Sequence, residues 1–229
     1  MGPPEPRQMS SVSLPISTPT VQLYPFPFKY FRFSSIVKEI SELVKVKIEN
    51  TTIPYAMPVC LIGATVKGKP TFMTVAWFSK VNGQPPMFMV SLENPRYTAE
   101  GIKENGVFSI NFPGKSLAEK TDYCGMVSGR KTDKSGVFKV EYGEHKAPMI
   151  AECPVSYELK LKQTVELVDS RLFIGEVVGA YADGKYLTDK KLDVSKTEQF
   201  QLIESPAAGY YAQGKQFEKA FSVGKKLMK

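Results

Sequence analysis

Gly63-Ala64-Thr65-Val66-Lys67-Gly68-Lys69-Pro70-Thr71-Phe72-Met73-Thr74-Val75-Ala76-Trp77 is the stretch whose reading decides the fold. Its first half nearly matches the phosphate loop GxxxxGK[ST], which runs from a strand into a helix. Pro70, however, stands where a hydroxyl residue would hold magnesium, and Thr71 onward is β-branched and alternating. Such a run suits a strand and opposes a helix. The stretch therefore reads as a β-hairpin, Val59 to Val66 and Thr71 to Val81, joined by Lys67-Gly68-Lys69-Pro70. Asn82-Gly83 is a strong turn dipeptide, and it brings back a third strand, Met87 to Leu92, an apolar run short enough to be buried on both faces.

Working outward, Val107 to Phe112 reads as a strand, and Val155 to Val168 with Arg171 to Tyr181 as a long hairpin across Asp169-Ser170. Alternation puts Tyr157, Leu159, Leu161, Val165 and Leu167 on one face of it. Val44, Val46 and Ile48 alternate with Lys45, Lys47 and Glu49, the period of a half-exposed strand. Helical spacing appears from Ser35 to about Leu43 and again at Phe217, Ala220, Phe221, Gly224 and Leu227. Asn94 suits an N-cap and Pro95 the first helical position of a helix that Gly106 closes. Ser116-Leu117-Ala118-Glu119 has the form of a capping box, opening a helix that ends at Gly125. Many antiparallel strands with a few short helices predict a mainly β (α+β) barrel. Residues 1–33, rich in proline, read as a peripheral tail, and 34–229 as a single domain.

Composition narrows the chemistry. The net charge of +7 comes from cations interspersed with acids, which favours a small anion over nucleic acid or a membrane surface. The cysteines at 60, 124 and 153 form no CxxC pair, and His145, the single histidine, does not complete a metal cluster with them. Scattered thiols and the lack of a cleavable apolar leader predict a cytoplasmic protein. No run approaches the about 20 apolar residues that a membrane helix needs. Cys124 with His145 lacks a third group to orient a thiol–imidazole pair, and His145, between Glu144 and Lys146, reads as a solvated loop residue.

The candidate site comes from combination. Arg96, in the first turn of its predicted helix, opposes the helix dipole, so it makes sense beside an anion held by the free backbone N–H groups there. Ser128-Gly129-Arg130-Lys131-Thr132-Asp133-Lys134 offers hydroxyls, a glycine for close approach, and cations. A mononucleotide needs those donors for its phosphate, and its flat ring needs a strand edge with apolar walls, which Thr74, Trp77, Ser91 and Asn111 are placed to supply. Trp77, the one tryptophan, reads by default as a core residue and otherwise as a ring partner.

In their order along the chain, several segments resemble the flavin reductase-like, FMN-binding split-barrel family, and within it the flavoredoxin branch. They include Pro58-Val59 with Gly63, Met73-Thr74-Val75-Ala76-Trp77, Ser91-Leu92, Arg96-Tyr97-Thr98, Phe108-Ser109-Ile110-Asn111, Ser128-Gly129-Arg130, Asp133-Lys134 and Tyr210-Tyr211. The resemblance runs from about residue 47 to the end and leaves out the proline-rich head. It implies a homodimer of Greek-key split β-barrels with non-covalent FMN at the subunit interface. The Thr74, Val75, Ala76 and Trp77 backbone and the Thr74 hydroxyl would meet the phosphate or ring edge, Ser91 and Leu92 would line the isoalloxazine, and Arg96, Thr98, Ser128, Gly129 and Lys134 would supply phosphate and polar contacts. Glu93 stands where many relatives place an arginine, which transfers the anion contact there to Arg96.

The activity so implied is an oxidoreductase in which NADH or NADPH, or a redox protein, reduces FMN and a free flavin or other acceptor is reduced in turn. The cofactor carries that chemistry, which agrees with the poverty of histidine. Two other readings stay open on sequence alone: an FMN electron carrier without NAD(P)H activity, and a cofactor-free basic barrel whose aromatic and cationic head binds nucleic acid.

Overall fold

The hairpin read from the decisive stretch is present, and the fold grows from it. The structure is a computed structural model and describes residues 45–228; the helix expected at 35–43 and the head at 1–33 lie outside them. After the short β1 (Met57–Pro58), β2 (Cys60–Val66) turns back through Lys67-Gly68 into β3 (Lys69–Val75). The second run breaks at Ala76-Trp77, and β4 (Phe78–Asn82) then pairs with β5 (Met87–Glu93) across the expected turn. Next come helix α1 (Tyr97–Asn105), β6 (Val107–Phe112), helix α2 (Ala118–Met126), and the short pair β7 (Val140–Tyr142) and β8 (Pro148–Ile150). The long hairpin is β9 (Val155–Glu166) with β10 (Ser170–Ala182), and two register shifts interrupt its ladder. Four short strands follow, β11 (Leu187–Thr188), β12 (Lys191–Leu192), β13 (Phe200–Ile203) and β14 (Gly209–Ala212).

The main sheet is antiparallel in the order β3-β2-β6-β9-β10-β5-β4. Because β3 leads directly into β4 while β2 and β5 lie far apart in that order, the sheet curls until its two edges approach. β3 and β5 touch across that gap, and the Ser91 N–H, donating to the Trp77 carbonyl at 2.8 Å, extends the β4–β5 ladder up to it. This is the mainly β split barrel that the sequence predicted.

Burial follows position in the sheet. β2 is covered on both faces, with Cys60, Ile62 and Ala64 in one apolar cluster and Leu61 in the other. The first cluster fills the curl with Val90, Leu92, Phe108, Ile110, Leu159 and Phe173 under α1, and the second joins Phe72, Cys124, Phe138 and Ile150 beneath α2. Each such side chain contributes roughly 1.5–3 kcal/mol by leaving water. β5, expected to be buried on both faces, buries only Val90 and Leu92; Met87, Phe88, Met89 and Ser91 stay half-covered and Glu93 is exposed. That open face is the one that presents Ser91.

α1 lies against β2 on Thr98, Ala99, Gly101 and Ile102. At Gly101 a Cβ would stand 2.4 Å from the Thr65 carbonyl oxygen, so only glycine allows this approach. Gly106 closes the helix in the left-handed region, as predicted.

Several expectations fail for physical reasons. Asn94 is no N-cap: β5 runs through Glu93, and the Asn94 N–H is still held by the Asp169 carbonyl at the sheet end, so the helix starts at Tyr97 with Arg96 in extended geometry as its cap. Ser116 falls inside a 3₁₀ turn, Lys115–Leu117, and makes no cap bond; α2 then runs one residue past Gly125, to Met126. Residues 45–49 join no ladder among the described residues, and Val46 and Ile48 are exposed, so the alternation there makes no strand with them. The C-terminal helix is absent: Phe217, Phe221 and Leu227 are exposed and only the short turn Val223–Leu227 forms, since an amphipathic face with nothing to bury against does not hold a helix. The predicted hairpin face is broken too, since register shifts re-aim β9 and Leu167 ends exposed.

Candidate functional site

Two adjoining cavities gather most of the predicted residues. One, of about 220 Å³, lies between the start of α1 and the end of α2, lined by Arg96, Tyr97, Thr98, Ser128, Gly129 and Lys134 among others. The other, of about 200 Å³, is walled by Met73, Thr74, Val75, Ala76, Trp77 and Ser91, with Glu93, Arg96 and Glu204. Arg96 and Met73 line both. Ten of the twelve predicted residues therefore meet here.

The first cavity is lined by two cations, Arg96 and Lys134, and by the start of α1. Pro95, Arg96, Tyr97 and Thr98 at the start of α1 line it, and the leading N–H groups of a helix lack intrahelical partners until, here, Ala99 bonds the Arg96 carbonyl. Lys134 is buried, and its Nζ donates to the Cys124 carbonyl at 3.2 Å and the Val127 carbonyl at 3.1 Å. It thus ties down the C-terminal end of α2 while lining the cavity. Burial holds its pKa below the ordinary lysine value, ahead of the opposing effect of Cys124 and the further lowering by Arg96. Gly125 and Gly129 keep the walls close: a Cβ at 129 would come within 2.6 Å of the Tyr97 ring, and one at 125 within 3.4 Å of Thr74.

The second cavity is a slot between a strand end and the exposed face of β5. Trp77 is 44% exposed, so its default reading as a core residue fails and its indole is free to flank a ring. Arg96 pairs with Glu93 across the mouth. Thr74 points away from the slot in part: its Oγ1 donates to the Thr121 carbonyl of α2. That bond occupies the proton and leaves the hydroxyl oxygen as an acceptor.

Two predicted residues are elsewhere. Asn111 is wholly buried and spent on the scaffold: its Nδ2 donates to the Leu61 carbonyl and Ser109 Oγ, while its Oδ1 accepts from the Ile150 N–H and Ser156 Oγ. Leu92 is in the barrel core, on the face of β5 opposite Ser91. Glu204 is one of the lining residues that sequence reasoning missed, with Cys124, Gly125 and Val127 at the end of α2 among the others. Glu204 follows β13 (Phe200–Ile203), whose place beside the slot comes from its pairing with β1 and β14, a contact distant in sequence.

A larger cavity, about 630 Å³, is not this one. It is lined by Thr65, Asn105, Val107, Tyr142, His145, Lys146 and Pro148, and includes none of the predicted site residues. His145 is not the solvated residue expected, for its Nδ1 is buried 3.8 Å from Glu158. Glu158 is itself fully buried and accepts from the Ala147 N–H at 3.1 Å and the Tyr181 hydroxyl at 2.9 Å, so it fastens the 143–147 loop. Arg96, Ser128 and Lys134 lie in the smaller pair instead. Burial raises the Cys124 thiol, which removes it as a nucleophile. Among the described residues no cluster of three or more His, Cys, Asp or Glu is placed to hold a metal, and no helix is long and apolar enough to cross a membrane.

Comparison with known proteins decides the family, since residues 53–198 match the flavin reductase like domain. The chain belongs to that family. Flavoredoxin from Methanosarcina acetivorans superposes with a TM-score of 0.78 at 45% identity, covering 81% of this chain and 100% of that one. Flavoredoxin of Desulfovibrio vulgaris (Miyazaki F) does so at 0.73 and 34% identity, covering 79% and 100%. An uncharacterized protein of Aeropyrum pernix is 32% identical over 125 residues, 53% of this chain; the match spans about half of that relative, 48%. The fold and the flavoredoxin resemblance read from the sequence thus agree with the solved structures.

Proposed function

We propose that the chain is an oxidoreductase that holds FMN non-covalently across the two adjoining cavities. One observation carries this reading: an anion cradle made of a helix start, a Ser-Gly turn and a buried lysine shares Arg96 with a slot walled by Trp77 and Ser91. A phosphate and a planar ring joined by a short polyol need those two spaces side by side. Bound FMN would supply the hydride and electron transfer.

The chain's own residues bind and orient. Arg96, Lys134 and the free N–H groups of α1 balance the phosphate charge. Thr98 and Ser128 offer hydroxyls. Met73 and the indole of Trp77 keep water from one side of the slot, and the backbone of Thr74 to Trp77 offers a strand edge to ring polar atoms. The ionisable side chains lining the slot are Glu93, Arg96 and Glu204, so the residues set charge at the ring and do not form an acid–base pair. The exposed Trp77 and the open face of β5 support a homodimer in which a second copy covers the ring. The three cysteines are free and buried, which supports a cytoplasmic setting.

NADH or NADPH is the proposed donor, and a free flavin or a redox protein the acceptor. A second reading, an FMN electron carrier without NAD(P)H activity, is favoured by the 45% identity to a flavoredoxin. Purified protein is expected to be yellow or to take up FMN, and anaerobic mixing with NADH or NADPH to bleach the flavin absorbance. Lack of colour together with refusal of FMN would overturn the flavin reading. Uptake of FMN without bleaching by either nucleotide would select the carrier.

A further inference from the structure

The far side of the Ser128–Lys134 turn holds a further cavity, of about 250 Å³, that the flavin reading does not use. Lys69, Thr71, Tyr97, Gly129, Arg130 and Lys131 line it. Thr71 is only 4% exposed, and its Oγ1 is a buried hydroxyl with no hydrogen-bond partner. A buried polar atom left so is destabilising, and native structures seldom keep one without a reason.

The surroundings are basic after internal pairing is counted. Lys69 is matched by Asp133 at 2.9 Å and Arg130 by Glu100. Lys131 makes no ion pair among the described residues, and Lys134 bonds only to carbonyls. Arg130 is held over the Tyr97 ring, its guanidinium carbon 5.6 Å from the ring centroid. Gly129 packs so closely on the Thr71 hydroxyl that a Cβ there would stand 2.9 Å from Oγ1, so a side chain at 129 would occupy the space next to it. The cavity shares Tyr97, Gly129 and Lys134 with the one proposed for the flavin phosphate, so it lies directly beyond it.

We propose that this cavity is a second phosphate subsite, adjoining and separate from the site of the flavin phosphate. The Thr71 hydroxyl donates to the anion and Lys131 balances its charge. Two sources share this chemistry, the 2′-phosphate of NADPH and the second phosphate of a flavin dinucleotide. The subsite stands on the geometry above; which phosphate fills it rests on the flavin reading.

The test is calorimetric titration of the FMN-saturated full chain with inorganic pyrophosphate at low salt. Binding at one equivalent per chain is expected. Thr71→Val, close in shape, should weaken it about tenfold, the loss of a hydrogen bond to a charged group. Lys131→Glu, on the exposed turn, should weaken it further, and both variants should bind FMN within about twofold of the parent, a difference below the scale of one such bond. Failure of the FMN-saturated chain to bind pyrophosphate, or unchanged affinity in Thr71→Val and Lys131→Glu, overturns the proposal. Competition by 2′,5′-ADP in preference to 5′-ADP assigns the subsite to NADPH, and the reverse order assigns it to a flavin dinucleotide. Should FMN itself not bind, the same titration of flavin-free chain still decides the subsite, so the two readings fail separately.

Discussion

Removing Arg96 offers the sharpest test of how the proposed site works, because the structure shows the cation already engaged. Arg96 and Glu93 form an ion pair with side chains 43% and 51% exposed. A pair so solvated is worth about 0.2–1 kcal/mol. A guanidinium bonded to phosphate is worth more, about 1.5–3 kcal/mol, so FMN is expected to win Arg96 from Glu93. Arg96→Ala deletes that bond and leaves Glu93 unbalanced beside an anion. FMN should then bind about 10- to 150-fold more weakly. Glu93→Gln frees Arg96 and should tighten FMN about 1.5- to 5-fold, the worth of the surface pair. In the double variant part of the Arg96→Ala loss should return, because the repelling carboxylate is gone as well. FMN titration followed by flavin fluorescence, at low and physiological ionic strength, measures all three; the differences should shrink with salt. The reasoning is refuted if Arg96→Ala stays within about twofold of the parent, well under one charged hydrogen bond, or if Glu93→Gln weakens binding.

Further outcomes follow from particular contacts. Lys134→Met keeps the buried stem and loses both bonds to the end of α2, so the flavin-free chain should lose about 1–3 kcal/mol, roughly 2–4 °C of Tm per kcal/mol; an unchanged melt would show that these bonds do not hold the helix end. Because burial lowers the Lys134 pKa, the native chain gives up this proton before the unfolded chain does, and stability should rise with pH up to about 10.5 in the parent and not in the variant. Asn111→Ala strands the Ile150 N–H and Ser156 hydroxyl and should cost about 3–5 kcal/mol in denaturant unfolding, with FMN affinity of the folded fraction unchanged; weakened FMN binding at full stability would return Asn111 to the site. Burial, with the bond to Asp122, pushes the Tyr210 hydroxyl up to about 12, so its contribution is present below pH 10 and lost as pH passes 12. Tyr210→Phe should flatten that alkaline loss in a melt series, and an unaltered profile would count against the Tyr210–Asp122 bond.

What the sequence made legible was whatever local pattern and turn chemistry control. Lys67-Gly68, Asn82-Gly83 and Gly106 marked their turns and cap correctly, and the β9–β10 hairpin was visible in its alternation. The site was legible where its residues come from consecutive runs, as in Thr74 to Trp77 and Ser128 to Lys134. It was hidden where tertiary pairing decides. Asn111 has the polarity of a ligand contact, and only the packing of β2, β6, β8 and β9 around it reveals a scaffold hub. Glu204 carries no local signal, and Arg96 was found for a reason that needed correcting, since the helix starts one residue after it. The core reading of Trp77 failed because the run from Thr71 to Val81 breaks at Ala76-Trp77, between β3 and β4, and no periodicity records that break.

The contact at Gly101 reaches further than its own surroundings. α1 is a rigid rod resting on β2 at that point, and its leading end carries Tyr97 and Thr98 into the cradle. An alanine at 101 would pry the rod off its bearing by a fraction of an ångström and tilt that end, widening the cradle without touching any group in it. A position remote from the ligand thereby sets the gauge of its pocket, so tolerance to mutation there should track cofactor retention more closely than bulk stability.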